Sequence, residues 1–282
     1  MRYHPLVHLV TSAILVAAQN EASEEIDLGL INASDNTTDA LGWWDHGYGE
    51  PLNAIISNKS HPSLLTSLSS WSKPSFNHYF LAHYLSDECL GQSGPNKMLA
   101  DLHDGRGMQP EVGLKRWTYE DDYLGTCIQT FDGGLHFRYF VQNTSHSQVT
   151  RESATGGAIF LAVSEEHDLT KNHDIVFDGY NLGRDYLVGN LTQQRIETKA
   201  SGLNSSTGSL DRVTVIDPSI EYQGTKVFEG ITYKTSVRYH AGLARNTSDK
   251  INHEAKVTTP GIPAVDGWVA VITIDVDEGQ TG

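Results

Sequence analysis

The spacing of apolar residues predicts two short helices followed by a run of strands. Apolar side chains recur every three or four residues over 64–71 and, after Pro74, over 76–83, as on one face of a helix. From residue 126 onward the period falls to two, which is typical of a strand with one buried face. The chain therefore changes from helical to extended structure in its middle.

A hairpin is predicted where the strand period begins. Residues 135–142 alternate between apolar and polar side chains, and an Asp-Gly-Gly turn at 132–134 precedes them. Glycine supplies the positive φ that tight turns need, so residues 126–130 are expected to form the partner strand. His136 and Arg138 would then point to the same strand face.

Three further strands and one helix are predicted in the rest of the chain. Residues 158–163 and 268–274 are nearly continuous apolar runs, as expected for strands buried on both faces. Residues 231–240 alternate like a half-buried strand, and residues 181–191 fit one short helix with Leu182, Tyr186, Leu187 and Val188 facing inward. Residues 91–122 show no clear period and are rich in glycine, proline and charge, which indicates a long irregular stretch.

These elements together predict one α+β domain over residues 41–282, with mostly antiparallel sheet and a few short helices. Residues 19–40 are acidic and rich in Asn, Ser and Thr, so we expect a disordered leader. Residues 1–18 combine a basic start with an apolar run that is too short for a membrane span, as in a signal peptide. Because the last residues are polar, no glycolipid anchor is expected. A secreted, extracellular protein is expected.

Potential N-glycosylation sites support secretion. The N-x-[ST] sequons lie at Asn32, Asn36, Asn58, Asn143, Asn190, Asn204 and Asn246. A glycosylated Asn must lie at the surface. We therefore expect all of them to be exposed except Asn190, which falls inside the predicted helix.

The two cysteines, Cys89 and Cys127, are expected to form a disulfide. An even pair in a secreted chain favours a bond. A free thiol or a metal ligand is the alternative.

The net charge of −15 argues against nucleic-acid partners and anionic membranes. The chain lacks G-x-S-x-G, H-E-x-x-H and a complete G-x-G-x-x-G, so no serine-hydrolase, zinc-protease or dinucleotide template fits. No metal or cofactor is expected.

One loop and one strand supply candidate chemistry. In the loop, Trp43, Trp44 and Tyr48 could stack on a sugar beside His46 and Glu50. The alternative is an aromatic anchor that closes the core.

We expect His46, Glu50 and His136 to converge as catalytic groups, because histidine and a buried glutamate can titrate near ambient pH. Asp104 and Arg138 are expected at the edge of this centre. The alternative is that each of these residues satisfies a local hydrogen bond.

Six segments carry a family resemblance. They are Trp44–Leu52, Glu88–Gln92, Leu124–Cys127, Gly134–Tyr139, Asp178–Asp185 and Asn246–His253. Together they resemble a widespread family of fungal secreted proteins whose function is unassigned. The resemblance implies secretion and a fungal source, and it implies no activity or catalytic residue.

Two classes of function follow from the sequence. The first is a hydrolase or other enzyme that acts on extracellular glycans or small molecules. The second is a carbohydrate-binding, surface-binding or host-interaction glycoprotein without catalysis. A concave site where polar groups converge would favour the enzyme, and a flat aromatic strip would favour binding.

Overall fold

The computed structural model describes residues 41–43, 49–66, 68–91, 97–102, 104–121, 123–143, 157–196, 198–203, 210–214, 216–253 and 263–277. The predicted signal peptide and acidic leader lie outside these ranges, as do Asn32, Asn36 and Asn204.

Strands predominate over helices in these parts of the chain. The strands in chain order are β1 (Leu41–Trp43), β2 (Gly49–Pro51), β3 (Ala54–Ile56), β4 (Leu85–Ser86), β5 (Leu99–Asp101), β6 (Met108–Pro110), β7 (Gly113–Trp117), β8 (Gly134–Val141), β9 (Ile159–Glu166), β10 (Thr198–Leu203), β11 (Leu210–Thr214), β12 (Tyr222–Phe228), β13 (Ile231–Thr247) and β14 (Val265–Asp277). The helices are α1 (Pro62–Thr66), α2 (Phe76–Ala82), α3 (Gly125–Asp132) and α4 (Gly179–Thr192). None of the helices described is long and apolar enough to cross a membrane.

The strands form one large sheet and two small ones. The large sheet has the order β12-β13-β14-β3-β9-β8-β7-β4, and all its neighbours are antiparallel except β14 and β3. A four-stranded sheet has the order β2-β1-β5-β6, and β10 pairs with β11. The prediction of an α+β fold with mostly antiparallel sheet is confirmed.

The two faces of the large sheet differ in chemistry. In β8 the odd-numbered residues from Leu135 to Val141 pack with α2 and α4 in the main core. Side chains alternate along a strand, so the even-numbered residues, His136 and Arg138 among them, face the other way. A smaller core around Phe140 and Phe160 lies on that second face. The predicted shared face of His136 and Arg138 is therefore confirmed.

The predicted strand at 126–130 is wrong, because these residues lie in α3. The side chain of Asp121 accepts hydrogen bonds from the backbone N–H groups of Tyr123 and Leu124 and turns the chain into the helix. Gly133, with φ of 79°, ends it. The strand β8 pairs instead with β9 and with β7, which lies in the stretch that was expected to be irregular.

The predicted helices are present, but the first ends at Thr66 and not at residue 71, and Leu182 of the last is only half-buried. The helix α4 buries Leu187 and Val188 as expected, but Tyr186 points outward and is 45% exposed. Trp71, included in the first helical pattern, lies beyond α1 and is 48% exposed.

The predicted disulfide between Cys89 and Cys127 is present, with Cα atoms 4.6 Å apart. This distance falls in the ordinary disulfide range. The bond ties the 3-10 turn Cys89–Gly91 to α3.

The described sequons differ in exposure. Asn246 is exposed and Asn58 is half-buried. The expectation of exposure is wrong for Asn143, which is 1% exposed because it follows β8 into the interior. Asn190 donates a hydrogen bond from Nδ2 to the His83 carbonyl at 2.7 Å.

Candidate functional site

The candidate site lies on the second face of the large sheet, where β7, β8 and β9 run side by side. His136 is directly opposite Arg116 of β7 and Ser164 of β9. Residues directly opposite on antiparallel strands point to the same side of the sheet. A polar row therefore crosses three adjacent strands.

Glu166, at the end of β9, is held in this row by several donors. Arg116 Nη1 lies 2.9 Å from Glu166 Oε2, and Gln129 Nε2 donates to the same oxygen at 3.0 Å. His136 Nε2 lies 3.4 Å from Oε1. Burial acts to raise the pKa of Glu166, but His136, Arg116 and Gln129 outweigh it and hold that pKa below its ordinary value. Glu166 is therefore a carboxylate at neutral pH.

Glu50, from β2, has an environment that shifts its pKa in the opposite direction from that of Glu166. The backbone of its neighbour Gly49 bonds to Lys250 and Asn252 on either side, which fixes β2 against that segment. Glu50 is only 4% exposed. Burial raises its pKa; Arg138 opposes this shift, and the carboxylates of Glu166 and Glu111 add to it. Glu50 therefore keeps its proton to a higher pH than an ordinary glutamate.

Arg138 joins two of these acidic groups. Its Nη1 donates to Glu111 Oε2 at 3.0 Å, and its Nε lies 3.5 Å from Glu50 Oε2. Arginine stays charged at any physiological pH. It therefore provides a fixed positive charge beside Glu50.

His136 is buried, and burial makes it a poor acid–base group, contrary to the role expected from the sequence. Burial, with smaller contributions from Arg116, Arg138 and His173, lowers the pKa of His136 to about 3 although Glu166 acts to raise it. The imidazole is therefore neutral at physiological pH. It supports Glu166 rather than carrying a proton between groups.

His253 is a member of the site that the sequence reasoning missed. Its Nδ1 is in direct contact with Asp174 Oδ1. Burial lowers the pKa of His253, whereas Glu50 and Glu166 act to raise it, so the ring lies within electrostatic reach of both carboxyl groups. The sequence offered two weak signals: the resembling segment Asn246–His253 ends at this residue, and the dipeptide His253-Glu254 does not continue as a zinc-protease motif.

The structure brings together three of the residues predicted for the site, namely Glu50, His136 and Arg138. Asp104 is held by other groups: its carboxylate accepts from Arg106 Nε at 2.8 Å and from the Asn143 backbone N–H at 2.9 Å. Its place at the edge of the centre stays a prediction.

The aromatic loop of the prediction is described only at its edges. His46, Trp44 and Tyr48 lie outside the described residues. The backbone of Trp43 pairs with Gly49 and Leu99 in the four-stranded sheet. Convergence of His46 with Glu50 and His136 therefore stays a prediction.

Two facing buried atoms of the site lack a hydrogen-bond partner in the described part of the chain. They are Glu50 Oε2 and Arg138 Nε, which lie 3.5 Å apart. Buried polar atoms in folded proteins are nearly always hydrogen-bonded. A polar ligand could therefore bind to this pair.

A pocket of about 530 Å³ opens directly after Glu166. Its lining residues are His167, Lys171, Asn172, Asp174, Ile175 and Phe177. Asp174 contacts both the pocket and His253. Within the described residues, no group of three or more His, Cys, Asp or Glu side chains is arranged to hold a metal ion.

No protein-family model matches this chain, and no curated protein or solved structure is significantly similar to it. The function is therefore argued from the geometry of the site.

Proposed function

We propose that this protein is a secreted hydrolase of extracellular glycans in which Glu50 and Glu166 act as a pair of carboxyl groups. The observation that carries the proposal is their placement around one sheet face with different partners. Glu50 is buried beside the Arg138 guanidinium, whereas Glu166 is bound by Arg116, Gln129 and His136. Hydrolysis of a glycosidic bond needs one carboxylic acid and one carboxylate.

The two environments assign the two roles. Burial raises the pKa of Glu50 above that of an ordinary glutamate, so in this proposal it is the general acid that protonates the leaving oxygen. The donors around Glu166 keep it ionised, so it activates water or attacks the sugar. Pairs of carboxyl groups whose pKa values are pushed apart by their surroundings are the usual basis for such a division.

Arg138 orients the substrate in this proposal. Its Nη1 is occupied by Glu111, which fixes the guanidinium plane. Its Nε lies 3.5 Å from Glu50 Oε2 but has no hydrogen-bond partner within the described residues, so it can donate to a sugar hydroxyl. The substrate oxygen would then lie beside the Glu50 proton.

The compartment is part of the proposal. An apolar N-terminal run, the sequons and a single disulfide with no free cysteine beside it all favour secretion. Glycans are abundant substrates outside the cell, and the resemblance to fungal secreted proteins agrees with that setting.

Binding without catalysis is the second candidate. Glu50 Oε2 and Arg138 Nε, which have no hydrogen-bond partner among the residues described, would hold sugar hydroxyls equally well in a protein that cleaves nothing. The two candidates differ in one measurement, which is the release of new reducing ends.

The test is hydrolysis of a panel of aryl glycosides and polysaccharides by wild type, Glu50→Gln and Glu166→Gln. Both variants keep the shape of the side chain, and each should lower kcat at least about 100-fold, the usual contribution of one acid–base group. Glu120→Gln makes the same change at an exposed carboxylate and should leave kcat unchanged. Full activity in Glu50→Gln or Glu166→Gln would overturn the proposal, and glycan binding without new reducing ends would favour the second candidate.

A further inference from the structure

The loop between β9 and α4 builds the pocket that opens after Glu166, which we call the β9–α4 pocket. Its volume of about 530 Å³ lies inside the range of small-ligand sites. That volume accommodates one sugar ring together with its substituents.

The lining of the pocket combines one aromatic ring with several polar groups. Phe177 is 37% exposed, so part of its ring is open to a ligand, and the buried Ile175 adds apolar surface. Lys171, Asn172 and Asp174 supply both donors and acceptors. A pyranose has a C–H face that packs on an aromatic ring and a rim of hydroxyl groups that need such partners.

The pocket is fixed rigidly to the strand that carries Glu166. The backbone N–H of His167 donates to the Asp174 carbonyl at 2.7 Å, and that of Val176 donates to the Glu165 carbonyl at 3.0 Å. The loop therefore folds back on the end of β9, and its position relative to Glu166 is set by main-chain hydrogen bonds.

Two consecutive residues of the loop, His173 and Asp174, also interact with the histidines beside Glu50 and Glu166. Asp174 contacts His253, whose titration responds to Glu50 and Glu166. The neighbouring His173 acts on His136. Asp174 therefore connects the pocket, which it lines, with His253 beside the carboxyl groups.

We infer that the β9–α4 pocket is a subsite that binds one pyranose unit of a glycan, with Phe177 against the sugar face and Lys171, Asn172 and Asp174 on its hydroxyl groups. The role of the pocket as a subsite of a hydrolase rests on the proposed function. The binding of a sugar does not.

The experiment titrates the wild-type protein with glucose, galactose, mannose, xylose and N-acetylglucosamine and measures binding by saturation-transfer NMR. These monosaccharides contain no glycosidic bond, so turnover cannot complicate the measurement. At least one of these sugars should bind, and Phe177→Ala should raise its Kd about tenfold, as expected for the loss of one aromatic contact.

Leu169→Ala is the matched control, because Leu169 is exposed on the same loop and does not line the pocket. It should leave the Kd unchanged. Absence of binding for all five sugars, or an equal loss of affinity in both variants, would overturn the inference.

The outcome separates this inference from the proposed function. Sugar binding that depends on Phe177 in a wild-type protein that hydrolyses nothing would contradict the hydrolase and support the pocket. Hydrolysis with a KM that is the same in wild type and Phe177→Ala would support the hydrolase and contradict the pocket.

Discussion

Arg138 Nε lies 3.5 Å from Glu50 Oε2, and neither atom has a hydrogen-bond partner among the residues that the structure describes. The same guanidinium donates to Glu111 at 3.0 Å. The positive charge of Arg138 therefore balances the carboxyl groups of both Glu50 and Glu111, although only Glu111 is hydrogen-bonded to it. Removing Arg138 would leave both carboxyl groups without a neighbouring cation.

Arg138→Met should lower the free energy of unfolding at pH 7 by about 3 kcal/mol, because it breaks a largely buried ion pair. The loss should be smaller at pH 4, where the raised pKa of Glu50 keeps it neutral. Urea denaturation at the two pH values measures both effects. The control is Arg238→Met, which removes an exposed ion pair with Glu221 and should lower the free energy of unfolding by less than about 1 kcal/mol. An equal decrease in the two variants would show that Arg138 does not neutralise buried negative charge.

Asp178 should make the protein less stable as the pH rises. Burial, with Asp266 and Asp185, raises its pKa from 3.8 to about 7 although Asn181 donates to it. The folded state thus holds a proton that the unfolded state releases, and stability is lost between about pH 4 and 7. Asp178→Asn should remove this loss, on the order of 2 kcal/mol between pH 5 and pH 8.

The Asn side chain suits this position, since Asp178 has φ of 57° and asparagine tolerates that conformation. Urea denaturation at pH 5 and pH 8 is the measurement. Asp275→Asn, at an exposed position, is the control and should keep the wild-type pH dependence. The same slope in Asp178→Asn and wild type would contradict the assignment.

The disulfide should contribute substantially to stability. It closes a loop of 38 residues, so replacing both Cys89 and Cys127 by Ala should lower the free energy of unfolding by about 4 kcal/mol. Because α3 also carries Gln129, which donates to Glu166, the double variant should lose activity as well. Chemical denaturation of the oxidised protein against the double variant tests this, and equal midpoints would contradict it.

The sequons should not be used equally in the folded protein. Asn246 is exposed and should carry a glycan, whereas Asn143 is buried and Asn190 is bound to the His83 carbonyl. Peptide mapping by mass spectrometry of protein secreted from a eukaryotic host measures occupancy. Full occupancy of Asn143 in folded protein would contradict its burial, and full occupancy of Asn190 would contradict its hydrogen bond to His83.

Part of the site could be predicted because it depends on local periodicity. Alternation in β8 alone placed His136 and Arg138 on one face. Glu166 could not be found in this way, since its partners Arg116 and Gln129 come from segments distant in sequence. Pairing between strands and helices far apart in the chain leaves no periodic signal.

The helix α3 shows how a tertiary constraint overrides local preference. Residues 126–130 include Thr126, Ile128 and Thr130, β-branched residues that favour strands. The turn at Asp121 and the bond from Cys127 to Cys89 nevertheless hold them in a helix. Strand propensity depends strongly on context, so the pattern alone predicted the wrong partner for β8.

The place of β14 in the large sheet has a consequence for folding during protein synthesis. It lies between β13 and β3, and it joins the β12–β13 pair to the strands that carry Glu166 and His136. Yet β14 is the last of the described strands to leave the ribosome. Until residue 277 has emerged, β3 and β13 each present an unpaired edge, and exposed edges pair readily with other chains. We therefore expect nascent chains that stop before β14 to need a chaperone to stay unaggregated.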